Sequence, residues 1–133
     1  MTEEKKQVVQ YRLQRASEEL TSAQVLLAAQ RNFAAVNRLY YACFYAVNSL
    51  LETRDLASSK HSGVKALLHQ HFIKTGTVEN QWGKFYQHLY DTRHDVDYAD
   101  FAEFSAESAQ ELYESAQRFV AEVTRLVEKE MIA

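Results

Sequence analysis

The chain contains no proline and only 3 glycines among its 133 residues. β-Sandwiches and barrels need many tight turns, and such turns depend on glycine and proline. The composition therefore argues against strand-rich folds and glycine-rich phosphate loops, and it favours long helices with few connections. The length and the 47% hydrophobic fraction suit one globular domain, which we place over residues 1–133.

Cysteine is nearly absent as well, because Cys43 is the only one in the sequence. A single cysteine excludes an internal disulfide and a CxxC zinc site, and it is typical of a reducing compartment. The stretch MTEEKKQVV is too polar for a signal peptide, and no apolar run approaches the roughly 18 residues that a membrane span needs. We therefore expect a cytoplasmic protein without a membrane span, in which Cys43 is a buried structural thiol.

The hydrophobic pattern predicts an all-α fold, an antiparallel bundle of about five helices. The predicted helices cover about residues 4–30, 33–54, 60–74, 77–93 and 103 or 105 to 129. In the first, Tyr11 and Val25 belong to the apolar positions and Glu19 to the outer polar ones. The second is apolar almost all round, so we expect it at the centre of the domain.

Capping residues mark the ends of the shorter predicted helices. Ser58 or Ser59 is expected to cap the third helix. Lys74 and Gly76 form a stop signal, with a cation in the last turn and a glycine after it. Thr77 is expected to start the fourth helix.

Charge is distributed unevenly along the chain. Residues 54–94 contain six bases, three acids and all five histidines, or +3, whereas residues 95–133 contain three bases and ten acids, or −7. An acidic solvated helix at the end explains this pattern, and so does a basic middle segment that meets an anion. The sequence lacks the strongly basic stripe that is typical of proteins that bind duplex nucleic acid tightly.

Three stretches of sequence, taken together, resemble the HEPN family. Residues 37–46, NRLYYACFYA, are similar to the motif N-R-x-Y-Y-A-x-F-Y-A, and residues 93–98, RHDVDY, are similar to R-x-x-x-D-Y. Between them, residues 61–63 (HSG) open the third predicted helix and residues 72–76 (FIKTG) end it. The resemblance spans about residues 10–130 and is closest to the small branch called UPF0332.

The resemblance implies a function as well as a fold. HEPN domains are all-α bundles that often dimerise, many are metal-independent ribonucleases, and many act as toxins beside a minimal nucleotidyltransferase antitoxin. It therefore implies a homodimeric, toxin-like protein that interacts with RNA or a nucleotide, needs no cofactor and pairs with such an antitoxin. Two alternatives stay open: a non-catalytic HEPN module that binds a nucleotide or partner protein through its dimer groove, and a helical interaction protein without a ligand.

The catalytic motif of active family members is R-x4–6-H, with the arginine and histidine of both subunits meeting in the dimer cleft. Arg93 fits the arginine, but the histidine positions hold Tyr98, Ala99 and Asp100. Ribonuclease activity therefore stays an open question, with Arg93 as the cation and His94 as the nearest imidazole. Some HEPN toxins also carry a tyrosine to which the antitoxin attaches AMP, and Tyr98 is the candidate for that role.

The start of the third helix and the middle of the second supply further ligand-binding candidates. Lys60 and His61 are expected to help Arg93 attract an anion, and His61 is a second imidazole if its helix begins beside the motif. Asn37 is expected to hold Arg93 or reach the ligand, or else to satisfy buried backbone groups. Arg38 follows it as a further cation.

Two other interpretations of the polar residues are structural or metal-binding. Asp97 is a ligand-binding candidate, but it is also placed to form an ion pair with Arg93 after the fourth helix. His88, Asp91 and His94 recur every three residues, yet no fourth ligand accompanies them, so no metal site is predicted.

Overall fold

A computed structural model describes residues 1–94 and 103–132 of the chain. Within these residues every regular element is helical, which confirms the all-α prediction. The elements are α1 (Glu3–Ala28), α2 (Asn32–Glu52), α3 (His61–Leu68) with a π-helical turn (His69–Ile73), α4 (Asn80–His94) and α5 (Ala106–Ile132). No helix in the described parts has the length and apolar character that crossing a membrane requires.

Helix α2 lies at the centre of the bundle, as its composition predicts. It buries Leu39, Cys43, Val47 and Leu50 completely, which also confirms Cys43 as a buried thiol. Burial raises the pKa of that thiol far above its usual range. Helix α2 contacts all four other helices, and it therefore connects the two ends of the bundle.

The two long outer helices run in opposite directions beside α2. The Ser49 hydroxyl donates to the carbonyl of Val9 at 2.9 Å, and Arg38 pairs with Glu19, so α1 is antiparallel to α2. Helix α5 follows α2 in the same direction, because Asn32 donates to the carbonyl of Phe104 at its start, and Arg54 pairs with Glu130 near its end.

The buried face of α1 differs from the prediction. Glu19 is only 7% exposed, whereas Tyr11 and Val25 are 59% and 64% exposed. The fully buried positions are Val9, Ala16 and Ala23. They are seven residues apart, and the two alanines let α1 lie close against α2. The prediction that Tyr11 and Val25 face the core is wrong, because this helix has apolar residues on more than one face.

The chain enters α3 through a close contact between Ser58 and Gly63. Lys60 is the N-cap residue, and no side chain caps the helix, so the prediction of a Ser58 or Ser59 cap is wrong. The Ser58 hydroxyl instead accepts the backbone N–H of Lys60 at 3.2 Å. A Cβ atom on Gly63 would lie 2.0 Å from the Ser58 hydroxyl oxygen and 2.7 Å from its Cβ. This contact fixes the start of α3 and hence the position of His61.

Replacing Gly63 with alanine is expected to destabilise the protein, because the added Cβ displaces Ser58 and the entry to α3. We expect a loss of about 1–3 kcal/mol, the usual cost of overpacking, in the free energy of unfolding measured with urea. The double variant Gly63→Ala/Ser58→Gly removes the clashing atoms and should recover most of the loss. Equal stability of Gly63→Ala and the native protein would contradict this contact.

The connection between α3 and α4 differs from the prediction at two points, which are the shape of the last turn of α3 and the first residue of α4. The backbone N–H of Lys74 donates to the carbonyl of His69 at 2.8 Å, so the helix widens into a π-helical turn. Gly76 has a φ of 80°, in agreement with its predicted role as a helix stop. Helix α4 starts at Asn80 rather than Thr77, because Val78 is buried and its N–H donates to the carbonyl of Phe72.

Candidate functional site

Two arginines and two histidines meet on one face of α2, where α3 begins and α4 ends. We call Arg38, Tyr41, His61, Arg93 and His94 the Arg93 cluster. The Tyr41 ring joins its cations, since the guanidinium carbons of Arg38 and Arg93 lie 4.9 and 5.7 Å from the ring centroid. Arg93 also donates a hydrogen bond to the Tyr41 hydroxyl at 3.5 Å. Contacts of this kind hold a guanidinium over the ring without neutralising its charge.

The two histidines of the cluster are neighbours although 33 positions separate them in the sequence. His61 is the first residue of α3 and His94 the last of α4, and their ring centroids are 5.1 Å apart. Aromatic rings hold both, because His61 stacks on Phe44 at 4.4 Å and His94 on Tyr90 at 4.1 Å. The two histidines, which are separate candidates in the sequence, thus lie side by side in the structure.

Hydrogen bonds fix which nitrogen of each ring is free for a ligand. Nδ1 of His94 lies 2.9 Å from the carbonyl oxygen of Tyr90, which can only accept, so Nδ1 carries a proton. Nδ1 of His61 lies 2.8 Å from the hydroxyl of Tyr40. Tyr40 is 1% exposed, and burial raises its pKa far above the usual value, so the hydroxyl keeps its proton. Both imidazoles are therefore held through Nδ1, and neither Nε2 has a hydrogen-bond partner among residues 1–94 and 103–132.

The environment of His61 favours its neutral form. Partial burial lowers the pKa of His61, and the charges of His94 and Arg93 lower it further. When two imidazoles lie this close, protonation of one opposes protonation of the other. The arrangement therefore favours a neutral His61 ring.

Acidification is expected to destabilise the protein through His61 and His69. Burial lowers the pKa of both, assisted by His94 and Arg93 at His61 and by Lys65 at His69. An unfolded histidine takes up a proton near pH 6.5, before the folded one does, so the unfolded state binds more protons. The stabilisation is complete above about pH 6.5 and is lost as the pH falls through the lower folded values.

Urea unfolding midpoints at pH 7.5, 6.5 and 5.5 measure this effect. We expect the midpoint to fall over that range, and to fall less in the His61→Gln/His69→Gln variant, which cannot take up these protons. A midpoint that stays constant or rises on acidification would contradict the assignment.

The sequence did not identify Glu19 as part of this region. Its carboxylate accepts hydrogen bonds from Arg38 at 3.0 Å and from Arg15 at 3.5 Å. Glu19 thus ties Arg38 of α2 to α1 and leaves Arg93 as the cation of the cluster that pairs with no acid among the described residues. The spacing of the buried positions Ala16 and Ala23 around Glu19 was the signal that could have revealed its burial.

A cavity of about 230 Å³ adjoins the Arg93 cluster between α2 and α4. We call it the Asn37 cavity. Apolar walls come from Phe33, Val36, Leu89 and Phe104, and polar groups from Asn37, Tyr40, Thr92 and Arg93. Oδ1 of Asn37 is buried and has no hydrogen-bond partner in residues 1–94 and 103–132. Within that part of the chain, Asn37 therefore does not use this oxygen to satisfy backbone groups.

The remaining predicted site residues lie at the margin of the site or beyond the described chain. Lys60 is exposed and precedes His61 as the N-cap residue of α3. Asp97 and Tyr98 fall outside the described residues, and so does the predicted ion pair between Asp97 and Arg93. No group of three or more His, Cys, Asp and Glu side chains that could hold a metal ion occurs in the described ranges.

Comparisons with known proteins agree with this architecture. A family model described as the HEPN domain matches residues 9–127. A "UPF0332 protein" of Thermotoga maritima is 40% identical over 125 residues, covering 94% of this chain and 95% of the relative. "Putative toxin MJ0142" of Methanocaldococcus jannaschii is 30% identical over 108 residues, covering 81% and 74%. "Putative toxin MJ0605" of the same organism is 29% identical over 121 residues, covering 91% and 90%. The chain is a member of the HEPN family.

Proposed function

We propose that this protein is a toxin-like HEPN protein that binds RNA at the Arg93 cluster and cleaves it slowly without a metal ion. The observation that carries the proposal is the placement of Arg93 beside two imidazoles whose centroids are 5.1 Å apart. Cleavage of RNA without metal needs a base, an acid and a cation near one phosphate. The Arg93 cluster places these three kinds of group next to one another.

The base in this mechanism is His61. Its lowered pKa keeps the ring neutral near pH 7, and its Nε2 accepts the proton of the ribose 2′-hydroxyl. The 2′-oxygen attacks the adjacent phosphorus and forms a pentacoordinate phosphorane. This step uses the tautomer in which Nδ1 of His61 carries the ring proton and donates it to the oxygen of Tyr40, which also keeps the ring oriented.

The acid is His94, and Arg93 stabilises the phosphorane. His94 is the last residue of α4, and its ring centroid lies 5.1 Å from that of His61. Its Nε2 donates a proton to the departing 5′-oxygen as the phosphorus–oxygen bond breaks, which leaves a 2′,3′-cyclic phosphate and a free 5′-hydroxyl. The guanidinium of Arg93 matches phosphate oxygens in shape and charge.

Slow cleavage is expected because Tyr98 occupies the family's histidine position, so His61 and His94 have to serve as base and acid instead. The test is cleavage of a short RNA by the native protein in the presence and absence of EDTA. We expect slow cleavage that EDTA does not change, with cyclic phosphate products. Binding without cleavage would favour the non-catalytic HEPN module, and cleavage that EDTA abolishes would contradict the mechanism.

A toxin role is supported by the names of the two Methanocaldococcus relatives. Expression of the native protein should then slow growth of the host, and coexpression of a minimal nucleotidyltransferase should restore it. The variant Arg93→Ala should slow growth less than the native protein does. Unimpaired growth at equal expression levels would contradict this part of the proposal.

We also expect a homodimer in solution. Most of α2 is covered within the chain, so the apolar surface left for a partner is smaller than its composition suggests. It consists of the half-buried Tyr41, Phe44 and Tyr45 beside the cluster and of Phe33, which is 46% exposed. Sedimentation at micromolar concentration should give the mass of two chains, and the mass of one chain would contradict this prediction.

A further inference from the structure

Lys65 lies on α3 one turn after His61 and contacts α4 through an aromatic ring. Its Nζ is 4.1 Å from the ring centroid of Tyr90, and both residues are half-buried. An ammonium group over an aromatic ring is attracted to the ring, but the ring does not neutralise its charge. Lys65 is therefore held at the edge of the Arg93 cluster with its positive charge available.

No acid takes up this charge within residues 1–94 and 103–132. None of the ion pairs formed in these ranges includes Lys65. Asp91 follows Tyr90 in α4, but its carboxylate accepts a hydrogen bond from Gln87 at 2.8 Å. Lys65 thus resembles Arg93, because both cations contact aromatic rings and neither pairs with an acid in the described part of the chain.

Tyr90 connects Lys65 to the histidine pair. The rings of Tyr90 and His94 are stacked, with centroids 4.1 Å apart and planes 16° apart. The His94 ring in turn lies 5.1 Å from that of His61, and His94 is exposed. A ligand at His94 therefore has a second cation beside it, on the Tyr90 side of the pair.

Lys65 and Arg93 act at different places in the site. Burial and the charges of His94 and Arg93 lower the pKa of His61. Burial and the charge of Lys65 instead lower the pKa of His69, which lies one turn after Lys65. Two separate cations next to one acid–base pair suit two successive phosphates of a chain better than a single phosphate.

We propose that Lys65 binds the RNA phosphate that follows the cleaved bond on its 3′ side. The direction rests on the proposed function, in which His94 protonates the departing 5′-oxygen. The departing nucleotide then lies on the His94 side of the pair, and its own 3′-phosphate comes next to Tyr90 and Lys65. Lysine binds phosphate as a point charge. The preferred substrate is therefore single-stranded RNA that continues beyond the cleaved bond.

Three dinucleotides that cannot be cleaved test this position in the native protein. The first joins two adenosines by one phosphate and has a 2′-deoxyribose in place of the attacking sugar. The second carries an additional 3′-phosphate, and the third an additional 5′-phosphate. We expect the 3′-phosphate to tighten binding about fivefold and the 5′-phosphate at most about twofold, measured by NMR titration at low salt. Equal gains, or a larger gain from the 5′-phosphate, would overturn the proposal.

Three variants assign the gain to one side chain. Lys65→Gln should lose the gain from the 3′-phosphate, whereas Lys65→Arg, which keeps the charge, should retain most of it. Lys84→Gln removes the same charge from an exposed position on α4 and should behave as the native protein. A gain that persists in a folded Lys65→Gln variant, or that Lys84→Gln loses equally, would overturn the proposal.

The same ligands separate this proposal from the proposed function, because their binding does not depend on catalysis. RNA cleavage that depends on Arg93, without any gain from the 3′-phosphate, would refute the Lys65 position and leave the function standing. A gain through Lys65 in a protein that cleaves no RNA would support the position and refute the catalytic mechanism. Failure of all three dinucleotides to bind would overturn both proposals.

Discussion

The variant His61→Ala is expected to lose about 10²–10⁴-fold in the rate of RNA cleavage, because the general base is removed. His61 is the imidazole with the lowered pKa in the cluster, and its Nε2 has no hydrogen-bond partner among the described residues. The loss should appear in kcat more than in RNA affinity, since the neutral ring contributes little charge to binding. Single-turnover cleavage with excess protein measures it directly.

His88→Ala is the matched control for this experiment. His88 is exposed on α4, one turn before Thr92 in the helix, and its side chain makes no contact with the cluster among the described residues. We expect native cleavage from this variant and a strong loss from His94→Ala. Native rates in both His61→Ala and His94→Ala would exclude the histidine pair as the acid and base.

The variant Arg93→Ala is expected to lose about 10²–10³-fold in cleavage rate, the usual effect of removing one group that stabilises a developing charge. It should also weaken RNA binding, because Arg93 is the cation of the cluster that pairs with no acid in the described chain. For one lost contact with single-stranded RNA, the slope of log affinity against log salt should decrease in magnitude by about 0.7.

Arg118→Ala removes the same charge from an exposed position on α5 and serves as the control. A long-range effect of net charge would weaken RNA binding equally in both variants. Loss of a phosphate contact would weaken RNA binding only in Arg93→Ala. Equal salt slopes for Arg93→Ala and the native protein would show that Arg93 does not contact phosphate.

Much of the fold followed from the sequence because helical spacing and composition act locally. The absence of proline and the scarcity of glycine indicated long helices, and the nearly uniform apolar character of α2 indicated its central position. Helix ends were predicted less well where tertiary contacts decide them. Helix α4 does not start at Thr77, because Val78 is buried in the core. Ser58 does not cap α3, because its side chain packs against Gly63.

The sequence suggests residues for the candidate site but not how they are arranged in space. Arg93, His94 and His61 could be named from motifs and from resemblance. Their proximity could not, because it depends on where α3 begins relative to the end of α4. The burial of Glu19 also arises from helix packing, and so does the position of the Asn37 oxygen, which has no partner within the described ranges.

The most direct test of RNA binding at the Arg93 cluster is a titration of the protein with short RNA, followed by the NMR signals of its five histidine rings. His61 and His94 lie in the cluster, whereas His71 and His88 lie elsewhere and act as internal controls. We predict that the signals of His61 and His94 shift together as RNA is added, while those of His71 and His88 stay in place. Shifts confined to His69, His71 or His88 would contradict the account.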